Sequence, residues 1–223
     1  GAGCRPREEA DYALLRAYAD QLDADIVALE EVETAAAAER VFDPETYTIV
    51  MSGQPYPAPS ADCRGMPGRK ILPQRTGFAI RKGIAFTRNP PLETLDVNHA
   101  GGVPLRWGVD ITIEGRRKLR LLGVHLKSGC PTGNKPSDED CPVLLSQVPA
   151  VEDWIDAREK AGETFLVLGD FNRRLQPNDL EVWLVLQLTT ISGKSPLAAA
   201  IRYGLARMER LRPHLDHGIL EID

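Results

Sequence analysis

Three apolar runs in this chain stop abruptly at side chains that can do chemistry. The first, Ile26-Val27-Ala28-Leu29, runs into Glu30 and Glu31. A carboxylate at the end of a buried strand is costly unless it is paired or holds a cation. Glu31 is therefore a candidate oxygen ligand for a hard ion such as Mg2+, although a solvated surface glutamate is the simpler reading of that residue alone. The second run, Leu121-Leu122-Gly123-Val124, delivers His125, followed by Leu126-Lys127-Ser128. A single histidine at a strand end is more often structural than catalytic. The third, Phe165-Leu166-Val167-Leu168, stops at Gly169 and presents Asp170 and Asn172. Alternation in an extended segment aims those two the same way. An acid beside an amide is a useful pair, because one can move a proton while the other donates hydrogen bonds to a charged oxygen.

These residues need strands to position them and helices to cover the strands. Pro6 followed by Glu8 and Glu9 reads as a helix start, and Leu15, Tyr18 and Leu22 give a helical stripe. The runs at Ile26 and Phe165 read as strands covered on both faces. Thr34 can cap the alanine-rich turn that follows the first of them. Strands are expected at 47–50, 78–80, 110–113 and 118–124, the last two joined by a turn at Glu114-Gly115. The stretch 53–73 is rich in Pro and Gly and reads as a long loop. Leu144, Val148, Val151 and Ile155 mark an amphipathic helix. A helix at 180–188 and a short strand at 218–222 close the chain. Interspersed helices and locally paired strands predict an α/β class of mixed sheets with helices outside. With no repeat and no clear linker, one domain over 1–223 is expected.

The chain has 223 residues, 43% of them apolar and 26% charged, an ordinary globular balance. No apolar run is long enough to span a membrane. The net charge of −5 argues against a broad basic face for duplex nucleic acid. It leaves room for a local positive cleft drawn from Arg64, Arg69, Lys70, Arg75, Arg81 and Lys82, which otherwise read as solvated surface charges. Four cysteines are present and none forms a CxxC pair, so a structural zinc site is not expected. Cys130 and Cys141 bracket a polar loop with no apolar face of its own to dock. A disulfide there would restrict the unfolded chain by roughly 2–3 kcal/mol, leaving Cys4 and Cys63 as the second pair. That layout favours a secreted or periplasmic protein over a cytoplasmic one holding four free thiols.

Taken together, the three runs resemble the endonuclease/exonuclease/phosphatase family, whose signatures are a D-x-V-x-L-Q-E-V strand, a strand ending in His, and G-D-F-N. They occur here in order as Asp25 to Val32, His125, and Gly169 to Asn172. Glu30 departs from the pattern, standing where the family usually has Gln. Leu215-Asp216-His217-Gly218-Ile219-Leu220 is similar to the family's late strand. The resemblance implies a DNase I-like two-sheet sandwich flanked by helices and a metal-dependent phosphoester hydrolase using in-line attack by water. It implies that Glu31 binds Mg2+ or Mn2+ and that Asp170 orients or deprotonates the water. Asn172 and His125 would hold phosphoryl oxygens, and Asp216 would orient a second histidine. Arg75 and Arg106 are looser matches as phosphate contacts. The residues around Cys130 and Cys141, with Gln147 and Trp154, are similar to a secreted bacterial branch.

Two family pieces are not found: an opening Asn-bearing strand, and a closing S-D-H. The chain is therefore expected to be a form truncated at both ends, or an impaired enzyme. The expected substrate is a phosphodiester, nucleic acid ahead of a lipid headgroup such as a phosphoinositide or sphingomyelin, acted on by a monomer. The rival readings are a non-catalytic binding module that retains the fold, and an unrelated α/β domain.

Overall fold

The computed structural model describes residues 7–55, 62, 63, 66, 68–98, 104–131, 139–173 and 177–207. The chain divides into two compact units, one of 1–130 with 134–172, the other of 131–133 with 173–223.

The first unit holds two sheets. In the first sheet β3 (Arg75–Arg81) lies between β1 (Ile26–Val32) and β2 (Tyr47–Met51), antiparallel to both. The second sheet has the order β4 (Phe86–Arg88), β5 (Val109–Ile113), β6 (Leu119–His125), β7 (Phe165–Asp170). Its first two pairings are antiparallel and β6–β7 is parallel. A parallel neighbour needs a crossover, and α3 (Asp140–Lys160) makes it.

Alternation along the strands assigns the layers. Val50, Phe78 and Ile80 of the first sheet meet Val109, Ile111 and Leu121 of the second in a buried core, so the sheets form a sandwich. The other face of the second sheet packs Leu122, Val124 and Leu126 against Leu144, Val151 and Trp154 of α3. The other face of the first sheet buries Leu29, Tyr47 and Ala79 with Ala19 of α1 (Glu9–Leu22) and Ala38 of α2 (Ala35–Glu39). Thr34 caps α2, its hydroxyl accepting from the Ala37 N–H at 3.1 Å. The helix–sheet–sheet–helix order agrees with the expected α/β two-sheet sandwich.

Two expectations are corrected. On α1 the inward stripe is Tyr12, Leu15 and Ala19 rather than Leu15, Tyr18 and Leu22. Tyr18 is 64% exposed. Ala19 packs into the core with Leu29, Tyr47 and Ala79, and Arg40 lies over the Tyr12 ring and, with Arg16, pairs with Glu9. The run at Phe165 is not covered on both faces, because β7 is the edge of its sheet among the described residues and Leu166 is 51% exposed. The run at Ile26, by contrast, is an edge strand, β1, yet is covered on both faces as expected, Val27 and Leu29 packing on the helix side and Ile26 and Ala28 toward the other sheet. Continuous apolar runs are expected for strands buried in mid-sheet, and periodicity alone does not separate edge from centre.

The Cys130–Cys141 disulfide forms across a sequence separation of 11, with both residues fully buried. Cys63 is disulfide-bonded as well; Cys4 and the strand expected at 218–222 lie outside the described residues.

The second unit contains α4 (Pro177–Thr190) and α5 (Pro196–Leu205). The latter starts at Ser195, whose hydroxyl accepts from the Ala198 N–H. Among the described residues no helix is long and apolar enough to cross a membrane.

Candidate active site

The last residues of β1, β6 and β7 come together in the first unit. Parallel register places His125 opposite Asp170, and the Leu126 N–H donates to the Asp170 carbonyl at 2.9 Å. Alternation puts His125 on the face shared with Leu121 and Gly123, toward the opposing sheet. It is buried, and its Nδ1 has no hydrogen-bond partner among the described residues. Burial, reinforced by the Arg106 guanidinium, holds its pKa below the ordinary histidine value, while Asp170 and Glu31 pull it back up.

The backbone is irregular where the chemistry gathers. Between Leu29 and Val32 the β1–β3 register shifts, and Glu31 takes a φ of 56°. A bulge re-aims side chains. Here it gives two consecutive glutamates a common neighbourhood, since both interact with Arg106 and with each other. Glu31 is exposed, and its carboxylate forms no hydrogen bond or ion pair with a described residue. Glu30 is half-buried, and its Oε1 accepts the Asp170 N–H at 2.6 Å. Burial raises the Glu30 pKa above its ordinary value. The Asp170 N–H opposes that rise, and the negative charges of Asp170 and Glu31 add to it.

Asp170 and Asn172 do not share a face by strand alternation. Asn172 has a φ of 51°, outside the extended region. The pair is closed by an Asx turn, in which Asp170 Oδ1 accepts the Asn172 N–H at 2.7 Å. Asn172 Nδ2 donates to the Leu126 carbonyl at 2.9 Å, leaving its second amide hydrogen for another acceptor. Gly169 makes this possible with a φ of 131°; a Cβ there would collide with the Val124 carbonyl and sit 2.8 Å from Glu30 Oε1.

Arg106 joins the cluster from an irregular segment whose flanks are clamped. Gln54 Nε2 donates to the Leu105 carbonyl and Thr76 Oγ1 to that of Trp107, at 2.7 and 2.6 Å. Arg106 Nη2 donates to Gln74 Oε1, and its Nε is buried without a partner. Burial lowers its pKa, while Glu31, Asp170 and Glu30 support its charge. Two buried nitrogens, His125 Nδ1 and Arg106 Nε, thus have no hydrogen-bond partner among the described residues, and buried polar atoms without partners call for explanation.

Arg75 does not present a free fork to this cluster. Its Nε and Nη2 donate to the Glu33 carbonyl and its Nη1 to that of Gln54. It braces the end of β1 to the residue that clamps the Arg106 segment. Two of the other expected basic residues are engaged in ion pairs. Arg81 pairs with Asp23 and Asp25, and Lys70 with Asp62. Arg64 and Asp216 lie outside the described residues. A polar cleft of about 510 Å³, lined in part by Asn89, Thr112, Lys118 and Arg120, opens toward the other end of β6 and contains none of the clustered residues.

Sequence reasoning missed three positioning residues. Glu30 stood out only as a departure from a motif. Gln147 is fully buried, its Oε1 accepting the Lys127 N–H and its Nε2 donating to the Leu95 carbonyl, which anchors the segment after His125 to α3. Gln54 carried no signal, since it sits in the loop read as featureless.

A model of the Endonuclease/Exonuclease/phosphatase family matches residues 3–217. The chain belongs to that family. Among solved structures it is similar to TDP2 from C. elegans, with 18% identity, a TM-score of 0.49, and coverage of 78% of this chain and 46% of that one. It is also similar to ANGEL2, described as a 2',3'-cyclic phosphatase, with 17% identity, a TM-score of 0.45, and coverage of 71% and 42%. The chain therefore spans less than half the length of either structure. No curated protein matches it.

Among the described residues no three His, Cys, Asp or Glu side chains form an all-protein metal cage. Mg2+ keeps several waters and takes one or two carboxylates together with substrate phosphates, and an unpaired, exposed Glu31 beside Asp170 offers such oxygens.

Proposed function

We propose that this chain is a divalent-metal-dependent hydrolase of phosphodiesters, its residues 1–223 serving one catalytic domain. The observation that carries the reading is the meeting of Glu31, Asp170, His125, Asn172 and Arg106 at the joined ends of two sheets, with two buried nitrogens that have no hydrogen-bond partner among the described residues. Glu31 would hold Mg2+ or Mn2+. Such an ion, when bound, neutralises charge on phosphoryl and leaving oxygens. Asp170, its Oδ1 tied to the Asn172 N–H, positions water for in-line attack and accepts its proton. The free amide hydrogen of Asn172, the neutral ring of His125 and the Arg106 guanidinium donate to phosphoryl oxygens. Each such donor contributes about 3 kcal/mol where charge develops. Asp216 would orient a second histidine. Arg75 acts as a brace rather than a phosphate contact.

Asp170→Asn keeps the size and the Asx acceptor but cannot take a proton. It should lower turnover of bis(p-nitrophenyl) phosphate on the order of 100-fold or more, with an unchanged unfolding midpoint. Near wild-type turnover overturns the assignment, and so would wild-type turnover in EDTA.

Nucleic acid is the first substrate class, in keeping with a secreted or periplasmic scavenger held by disulfides. A lipid-headgroup phosphodiester is the second reading, favoured by α4. Val182, Trp183, Val185 and Leu186 are each more than half exposed, and residues 173–212 carry seven basic and three acidic side chains. Exposed apolar side chains on a helix within a basic stretch of sequence suit an anionic lipid surface. Co-sedimentation with phosphatidylserine vesicles, lost in Trp183→Ser, supports the lipid reading, and cleavage of single-stranded DNA without vesicle binding rejects it.

A further inference from the structure

Glu30 has a carboxylate where an amide is the family habit, and its placement gives that carboxylate a task. β1 and β7 belong to different sheets, so no ladder joins them. Among the described residues, the bond from the Asp170 N–H to Glu30 Oε1 is the hydrogen bond that links these two strands. It lies at the end of β7, one residue after a glycine whose missing side chain lets the carboxylate approach. From Asp170 the bonding continues in a closed loop. Asp170 Oδ1 accepts from Asn172 N, Asn172 Nδ2 donates to the Leu126 carbonyl, and Leu126 N donates to the Asp170 carbonyl. Asn172, which is not a glycine, has positive φ, and these hydrogen bonds hold it there.

We propose that Glu30 is a positioning residue for the hydrolysis: by accepting the Asp170 N–H across the gap between the sheets, it fixes the pose of Asp170 and Asn172. The inference rests on the proposed hydrolase reading for its kinetic consequence, but not for its structural one. The clamp needs an acceptor oxygen at this reach: glutamine would keep one, whereas alanine would leave the Asp170 N–H without it. Arg106, within electrostatic reach of Glu30, Glu31 and Asp170, offsets the added negative charge.

The test compares E30Q, E30A, D170N and E30A/D170N. The first readout is hydrogen exchange of the Asp170 amide by NMR, in protein free of substrate and metal. Exchange should accelerate about tenfold or more in E30A and stay near wild type in E30Q, which keeps an acceptor oxygen. The second is kinetics on bis(p-nitrophenyl) phosphate. E30A should lose on the order of 10- to 100-fold in kcat with KM little changed, as expected when a misplaced group costs the chemical step. E30Q should recover most of that loss. The third is coupling. A residue acting through Asp170 adds little once Asp170 is disabled, so E30A/D170N should match D170N within about a factor of two. Unchanged Asp170 exchange in E30A, or a double variant that loses the full product of both effects, overturns the proposal. If D170N stays active, the hydrolase reading fails while the exchange result still decides the role of Glu30. If E30A does not fold, E30D replaces it: one methylene shorter, it keeps the charge but cannot reach the amide, and is expected to behave as E30A should.

Discussion

Gly169→Ala tests whether the site depends on the close approach of three strand ends. The φ of 131° at this position is costly for any residue with a Cβ, by about 1–3 kcal/mol. The new methyl would also overlap the Val124 carbonyl and crowd Glu30 Oε1, at 2.8 Å. Relief requires β7 to move away from β6 and β1. That movement weakens the bond from Leu126 N to the Asp170 carbonyl and the bond from Asp170 N to Glu30, worth about 1 kcal/mol each. The sum is a loss of about 3–5 kcal/mol, which for a unit of this size lowers Tm on the order of 10 °C. Gly83→Ala is the matched control, because Gly83 also has positive φ, at 95°, but nothing lies near its hypothetical Cβ. It carries the backbone cost without the collision. Urea unfolding of both variants isolates the crowding, and turnover of bis(p-nitrophenyl) phosphate reports its effect on Asp170. A displacement of about 1 Å costs roughly 100-fold in rate. If G169A is no less stable than G83A, or keeps wild-type turnover, the close approach does not hold the site together.

Arg75→Ala should cost about 2–4 kcal/mol, because it leaves the Glu33 and Gln54 carbonyls without a charged donor. A variant of wild-type stability with a KM raised about tenfold would instead make Arg75 a substrate contact. Replacing Cys130 and Cys141 together with alanine should destabilise by about 3 kcal/mol for a loop of this length, and an unchanged urea midpoint would refute a stabilising role. The pH dependence follows from His125. Its folded pKa lies below its ordinary 6.5, so below that pH the unfolded chain takes up a proton that the folded chain resists. Stability contributed by the neutral ring is present above pH 6.5 and is lost as pH falls toward the folded pKa. His125→Gln should flatten that slope in urea midpoints measured from neutral to mildly acidic pH, and equal slopes would refute it.

How much of this was legible in the chain depended on whether position followed from local pattern. The strands bearing Glu31, His125 and Asp170 announce themselves as apolar runs with polar ends, because burial forces that composition. Their convergence rested on the order of three motifs, and the β6–β7 register realises it by setting His125 beside Asp170. What the pattern could not carry was anything that depended on a second strand. Exposure of Leu166 follows from β7 lying at an edge. The inward face of α1 follows from Ala19 packing against Leu29 and Ala79 of β1 and β3. Arg75 reads as a phosphate contact only as a loose match to the family pattern, whereas in the fold its donors are spent on main-chain carbonyls.

The sharpest misreading was the assumption of a regular strand through Asp170 and Asn172. Regular strands would have separated Glu30 from Glu31 onto opposite faces, and would have joined Asp170 to Asn172 by alternation alone. Instead Glu31, Gly169 and Asn172 all take positive φ. Such conformations are unfavourable for Glu31 and Asn172 and persist only where the surroundings over-determine them. Here those surroundings are the Glu30 and Asn172 hydrogen bonds and the space left by Gly169. The strain falls at the ends of two strands from different sheets and at no other part of either strand, which is where a bound phosphate would require fixed donors and acceptors.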